Sequence, residues 1–178
     1  GLYNVENAVA ALAAALLAGA TPEELCKGLA SFTGVKRRFD IRINENNKVY
    51  IDDYAHHPEE INACIRSARD MFPGRKLTGI FQPHLFSRTR DFADDFAKSL
   101  SRLDEVVLLP IYPARELPIP GVTSEMLLAL MNHENKQLVD KTDIPSFFEG
   151  KQIEILITMG AGDIDTLVEP LENYLKNK

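Results

Sequence analysis

Beyond Phe39 the sequence alternates between two periodicities, and that alternation constrains the fold more than any other feature. Short apolar runs of strand length occupy Phe39–Asn44, Val49–Asp53, Lys76–Phe81, Val106–Ile111, Lys136–Val139 and Ile153–Met159. After the second run they are separated by stretches with apolar residues at helical spacing. Helices are expected over Pro58–Met71, where Ile61, Ile65 and Ala68 face inward, and over Thr89–Arg102 on Phe92 and Phe96. Two more are expected over Thr123–Met131 and Asp163–Lys176. Strands joined by helices of this length form βαβ units, so the expected fold is α/β, a Rossmann-like, mostly parallel sheet with helices on both faces. Only the first two strands flank a short polar turn, Glu45-Asn46-Asn47, and they should close as a hairpin.

The residues before Phe39 follow a different rule. Val5, Val9, Leu12 and Leu16 mark one face of a helix that Gly19 ends, and Thr21-Pro22-Glu23-Glu24 carries the start signals of a second. Leu25, Leu29 and Phe32 form the stripe of that second helix, which Gly34 closes. Two helices cannot bury both stripes on each other, so the pair needs a further partner. In the 178 residues, 20 Lys and Arg face 26 Asp and Glu, a net charge of −6 that argues against a general nucleic-acid binder. No apolar run approaches the roughly 20 residues that cross a bilayer, and Ala8–Ala20 lacks the basic flank of a signal peptide. Cys26 and Cys64 fall within helical patterns without a CxxC pair, which fits core packing in a reducing, cytoplasmic compartment.

In an open α/β sheet, ligands lie beyond the carboxyl ends of the strands. Three of the four histidines fall in segments that follow strand ends. Asp52-Asp53-Tyr54-Ala55-His56-His57 packs two carboxylates and two imidazoles into six residues. It reads as a metal site, as polar recognition of an anionic substrate, or as a solvated strand-to-helix loop. Adjacent histidines point two ways in extended backbone, so only one of them should face a site. In Gln82-Pro83-His84-Leu85-Phe86-Ser87-Arg88, the pair His84 and Arg88 forms a candidate anion clamp at the start of a helix. Gly160-Ala161-Gly162-Asp163 lacks the phosphate-loop patterns and reads as a tight turn with Asp163 as N-cap. Asn4 and Asn7 share one side of the first helix. Asn4 suits an N-cap, while the two amides together could read a purine edge. Arg37-Arg38 is a hinge-side basic patch or a phosphate contact.

Taken together, these strings resemble the Mur ligase family of peptidoglycan synthesis. Gly1-Leu2-Tyr3-Asn4-Val5-Glu6-Asn7-Ala8 is similar to its Gly-x-His-Asn-x-x-Asn-Ala motif, and Gly34-Val35-Lys36-Arg37-Arg38-Phe39 to the join into its C-terminal domain. Asp52-Asp53-Tyr54-Ala55-His56-His57-Pro58 and Phe81-Gln82-Pro83-His84 resemble the member that adds L-alanine to UDP-N-acetylmuramate. The resemblance implies that residues 1–35 are the last helices of a central ATPase domain and residues 36–178 a Rossmann-like C-terminal domain. It also implies partner domains upstream and no activity for this portion alone. ATP and Mg2+ are the implied cofactors, with the metal held mainly by the central domain. No metal ligands, nucleic acid or membrane are implied for these residues. Asn4 and Asn7 would touch adenine, Arg38 and Asp53 would contact ATP, and Tyr54, His56, His84 and Arg88 would line the alanine and acyl end. Of these, His56, His84 and Arg88 are the expected catalytic group. The family often has His where Tyr3 stands and Arg where Leu85 stands. A ligase that recycles murein tripeptide and a metal-dependent phosphohydrolase built on the Asp/His cluster are the alternatives.

Overall fold

A computed structural model describes residues 2–45 and 47–177. Gly1, Asn46 and Lys178 lie outside the described residues. The chain opens with α1 (Leu2–Leu17) and α2 (Pro22–Ser31). Thr21 and Glu24 start α2 with a reciprocal cap: the Thr21 hydroxyl accepts the Glu24 N–H at 3.3 Å, and the Glu24 carboxylate accepts the Thr21 N–H at 2.8 Å. Yet α2 buries no residue, and the apolar stripes stay open, with Val9 61% and Phe32 63% exposed. Cys26 is exposed with them, against the expected core position, because the face it occupies has nothing packed on it. Asn4 lies within α1 rather than capping it, since the helix already runs from Leu2.

Six strands follow. β1 (Asp40–Glu45) and β2 (Lys48–Asp53) form the expected antiparallel hairpin, with an irregularity between Ile41 and Ile43. β3 (Leu77–Phe81), β4 (Glu105–Leu108), β5 (Lys136–Leu138) and β6 (Ile155–Met159) extend it as parallel strands in the order β1-β2-β6-β3-β4-β5. The alternation of side chains along each strand builds two cores. Val49, Ile51, Leu77, Phe81, Val106, Leu108, Ile155 and Ile157 face α3 (Pro58–Met71), α5 (Ala93–Leu100) and α6 (Ser124–Leu130). Tyr50, Ile80, Val107 and Leu156 face α8 (Val168–Lys176), together with Ile144 and Phe148 around the short helix α7 (Ile144–Phe147). Each large side chain buried in this way contributes about 1.5–3 kcal/mol, so the sheet with its two helical layers can stand without α1 and α2. Gly79 lets β3 sit against Leu103, whose Cδ1 lies 2.5 Å from where a β-carbon would be.

Two helices differ from expectation. The stretch expected as one helix over Thr89–Arg102 is two, α4 (Phe86–Asp91) and α5, broken at Phe92. Phe92 leaves helical geometry at φ −117°, ψ 20°, and its ring packs edge-on against His57 at 4.7 Å. The last helix begins as a 3-10 turn, Asp163–Leu167, and Asp163 makes no cap bond. Its carboxylate instead accepts Gln82 Nε2–H at 2.7 Å and pairs with Lys141.

Candidate functional site

The parallel strands β2, β3, β4 and β6 end at one edge of the sheet, and the segments leaving them meet there. Arg37 precedes that edge and ties two of them together. Its Nη2 donates to the Gly160 carbonyl at 2.5 Å, and its Nε lies 3.4 Å from the Asp52 carboxylate. Its guanidinium stacks 5.0 Å from the centre of the Tyr54 ring. Arg37 and Phe39 both adopt positive φ, 60° and 50°, a conformation that costs side-chain-bearing residues energy and persists only where the surroundings impose it. Asp52, on the same strand end, is buried and accepts the Thr158 hydroxyl at 2.7 Å. Burial pushes its carboxyl pKa up, against the bond from Thr158 and the charge of Arg37.

Asp53 is a buried acceptor of three donors. Oδ2 takes the Phe39 N–H at 2.7 Å and the Tyr3 hydroxyl at 2.9 Å, and Oδ1 takes the Ala55 N–H at 2.8 Å. Through these bonds α1 is fastened to the hinge and to the end of β2. Burial raises the Asp53 pKa, the three donors opposing it, and burial followed by the Asp53 charge raises that of the Tyr3 phenol. A pocket of about 300 Å³ opens beside this clamp, lined among others by Asn7, Arg38, Asp53 and Tyr54. It adjoins a groove of about 450 Å³ between α1, α2 and the segment after them, lined by Asn4, Asn7, Leu12, Leu29, Val35 and Arg38. Asn7 and Arg38 belong to both, so the four residues Asn4, Asn7, Arg38 and Asp53 come together on one side of the edge.

Tyr54 leads from there to the other side along a row of rings. Tyr54 and His56 meet edge-on at 5.1 Å, His56 and His84 at 6.1 Å, and His84 stacks on Tyr112 at 5.8 Å. His56 Nδ1 lies 2.9 Å from the Tyr54 carbonyl, which makes it the donor and leaves Nε2 as an acceptor when the ring is neutral. His57 turns away to cap α3 and to pack on Phe92. His84 Nδ1 and Arg88 Nη1 are buried without a hydrogen-bond partner. Both nitrogens are able to donate. Burial, then His56 and Arg88, holds the His84 pKa below its ordinary value.

Sequence reasoning gave no individual role to Gln82 or Tyr112, and read Arg37 only as part of a basic patch or phosphate contact. Gln82 is buried and joins two strand ends, Nε2 donating to Asp163 and Oε1 accepting the Ile164 N–H at 2.9 Å. Gly162 packs so closely that a β-carbon there would lie 2.5 Å from Gln82 Oε1 and 2.7 Å from Tyr112 Cβ. The signal for Gln82 and Tyr112 was available only as position, since each follows a strand end, while Arg37 precedes the first strand.

The Asp/His cluster does not converge as a metal centre. Asp52 and Asp53 spend their oxygens on internal donors and His57 faces Phe92, and among the described residues no group of three His, Cys, Asp or Glu could hold a metal. A divalent ion therefore does not fit these side chains; the two adjoining cavities bring the amides of Asn4 and Asn7 and the guanidinium of Arg38 to a largely apolar groove.

Residues 37–163 match the family model described as Mur ligase, glutamate ligase domain. The chain is 56% identical over 174 residues to a UDP-N-acetylmuramate–L-alanine ligase of Porphyromonas gingivalis, a match covering 97% of this chain and 38% of that protein. It superposes on the UDP-N-acetylmuramate–alanine ligase of Thermotoga maritima with a TM-score of 0.76 at 29% identity, over 100% of this chain and 39% of that one. A murein peptide ligase from Psychrobacter arcticus gives 0.67 at 26% identity, over 100% and 38%. The chain spans about two fifths of the length of the curated relatives it matches.

Proposed function

Since the chain belongs to the Mur ligase family, we propose that it is the C-terminal part of an ATP-dependent ligase that joins L-alanine to UDP-N-acetylmuramate in peptidoglycan precursor synthesis. Residues 1–35 are then the end of the ATP-binding domain, which accounts for the open apolar stripes of α1 and α2, and residues 36–178 are the amino-acid-binding domain. The reaction condenses the amine of L-alanine with the lactyl carboxylate of the sugar through an acyl phosphate, and ATP supplies that activation and leaves as ADP.

The observation that carries this reading is the pair of orphaned nitrogens on His84 and Arg88. An amino acid presents a carboxylate that needs a fixed cation. A guanidinium meets it with two parallel N–H bonds and stays charged at any working pH. Neutral His84 adds a hydrogen bond to the same anion without competing for its charge. His56 and Tyr54 continue the wall towards the groove, where Asn4 and Asn7 face the adenine side and Arg38 the phosphates. Asp53, with its oxygens already engaged, acts on ATP by holding α1 and the Arg37–Phe39 hinge in place.

Arg88→Lys in the full-length ligase tests the reading. Lysine keeps the charge and loses one of two charge-assisted bonds, worth about 1.5–3 kcal/mol, so the KM for L-alanine should rise roughly tenfold to a hundredfold. The KM for ATP should stay within about twofold of wild type. A variant that weakens ATP and leaves L-alanine kinetics unchanged refutes it.

A further inference from the structure

Among the described residues the Arg88 Nη1 is buried without a hydrogen-bond partner, so no side-chain bond at that nitrogen fixes the guanidinium and its direction is set by the backbone that carries it. That backbone is α4, six residues long, too short to persist by itself. Its N-cap is Leu85, at φ 71° and with no side-chain cap bond. The missing cap comes from another loop. Glu116, which follows β4, accepts the Ser87 N–H through Oε2 at 2.8 Å and the Ser87 hydroxyl through Oε1. Those bonds from Ser87 hold the Glu116 carboxyl below the usual carboxylate range.

The same loop grips the preceding residues in register. The Leu85 N–H donates to the Tyr112 carbonyl at 3.0 Å, the Tyr112 N–H donates to the Pro83 carbonyl at 2.9 Å, and His84 bridges and stacks on Tyr112. Glu116 is itself folded back by its N–H to the Pro113 carbonyl at 2.9 Å. Pro83, Leu85 and Ser87 are thus pinned in alternation to residues 112–116, and Arg88 is the next residue along.

We propose that Glu116 is a positioning residue for the substrate-carboxylate site: by capping α4 through Ser87 it fixes where the Arg88 guanidinium stands beside His84. This rests on the amino-acid-binding role given to Arg88 above. Glu116 acts through the start of α4, mainly through its two bonds from Ser87, so its effect belongs in binding of the amino acid.

Steady-state kinetics of the full-length ligase with Glu116→Ala, Ser87→Ala and the double variant test it. Glu116→Ala should raise the KM for L-alanine about tenfold and Ser87→Ala, which keeps the Ser87 N–H bond, by less; each should leave the KM for ATP within about twofold and lower kcat less than threefold. The double variant should be no worse than Glu116→Ala alone, because Ser87→Ala removes one arm of a link that Glu116→Ala removes whole. Glu116→Gln, which keeps an acceptor and the side-chain length, should recover most of the loss, and it serves if the alanine variant does not fold. Additive effects, a loss confined to kcat, or unchanged L-alanine kinetics would each overturn the proposal. Wild-type enzyme without turnover on L-alanine would instead overturn the functional reading and is distinguished by that control.

Discussion

Replacing Asp53 by alanine gives the most quantitative test of how the helix pair and the sheet are joined. The change removes an acceptor that satisfies two backbone N–H groups, of Phe39 and Ala55, and the Tyr3 hydroxyl. The Tyr3 hydroxyl is half-buried and can turn to water, but the two backbone donors cannot follow. Leaving each of them bare costs about 1–3 kcal/mol, or roughly 2–6 kcal/mol together. Against this stands the relief of a carboxylate whose own burial is unfavourable, as its raised pKa records. The net loss should fall in the lower half of that range, about 2–4 kcal/mol. With an m-value on the order of 2 kcal/mol/M in urea, the unfolding midpoint of the 178-residue chain should drop by about 1–2 M. Tyr3→Phe, which cuts only one of the three bonds, should cost about 1–1.5 kcal/mol. Circular dichroism in urea measures both. A shift below about 0.3 M for Asp53→Ala, or one no larger than that of Tyr3→Phe, would show that Asp53 does not hold this junction.

Three further outcomes are expected. In a 15N NMR titration His84 should protonate below the ordinary histidine value, and Arg88→Met should move it up, because Arg88 contributes to the depression after burial and His56; an unchanged titration would remove Arg88 from its neighbourhood. Gly162→Ala should destabilise the chain by about 1–3 kcal/mol through the collision with Gln82 and Tyr112, read as a lowered thermal midpoint; a neutral effect would mean that the loop after β6 is not packed as described. Glu172 is held below the usual carboxylate range by Lys176 first and Arg42 after it. A depressed carboxyl stabilises the fold above its unfolded-state pKa and loses that contribution as pH falls through the folded one, so Glu172→Gln should lower the neutral plateau slightly and flatten the fall below about pH 4.5, the two proteins converging in acid.

The sheet was legible in the sequence because parallel strands are buried on both faces and so read as continuous apolar runs, as in Ile153–Met159. The break at Phe92 was not, since Phe92 and Phe96 keep helical spacing whether or not the backbone is continuous, and the ring that Phe92 packs against, His57, lies far away in sequence. Asp163 shows the same limit. A residue with good N-cap chemistry was drawn instead to Gln82 and Lys141, partners that only the tertiary fold brings near. His84 and Arg88 could be picked out by their place after a strand end. The neutral state of His84 could not, because it depends on burial and on His56 across the loop. Asp53 stands out in the sequence as a candidate, but its three internal donors, two of them backbone groups, leave no trace in a residue pattern.

The place of β6 in the strand order governs the order of assembly. Val49 on β2 and Leu77 on β3 both pair with Ile155, so the strand that joins the hairpin to the rest of the sheet is the last one made. On a growing chain β2 and β3 each present an open apolar edge until a segment about a hundred residues beyond Val49 has emerged and slotted between them. Pairings of such long sequence separation are slow to form. Completion of this sheet therefore waits for β6, and a chain stalled before residue 155 displays two unsatisfied strand edges that can template self-association.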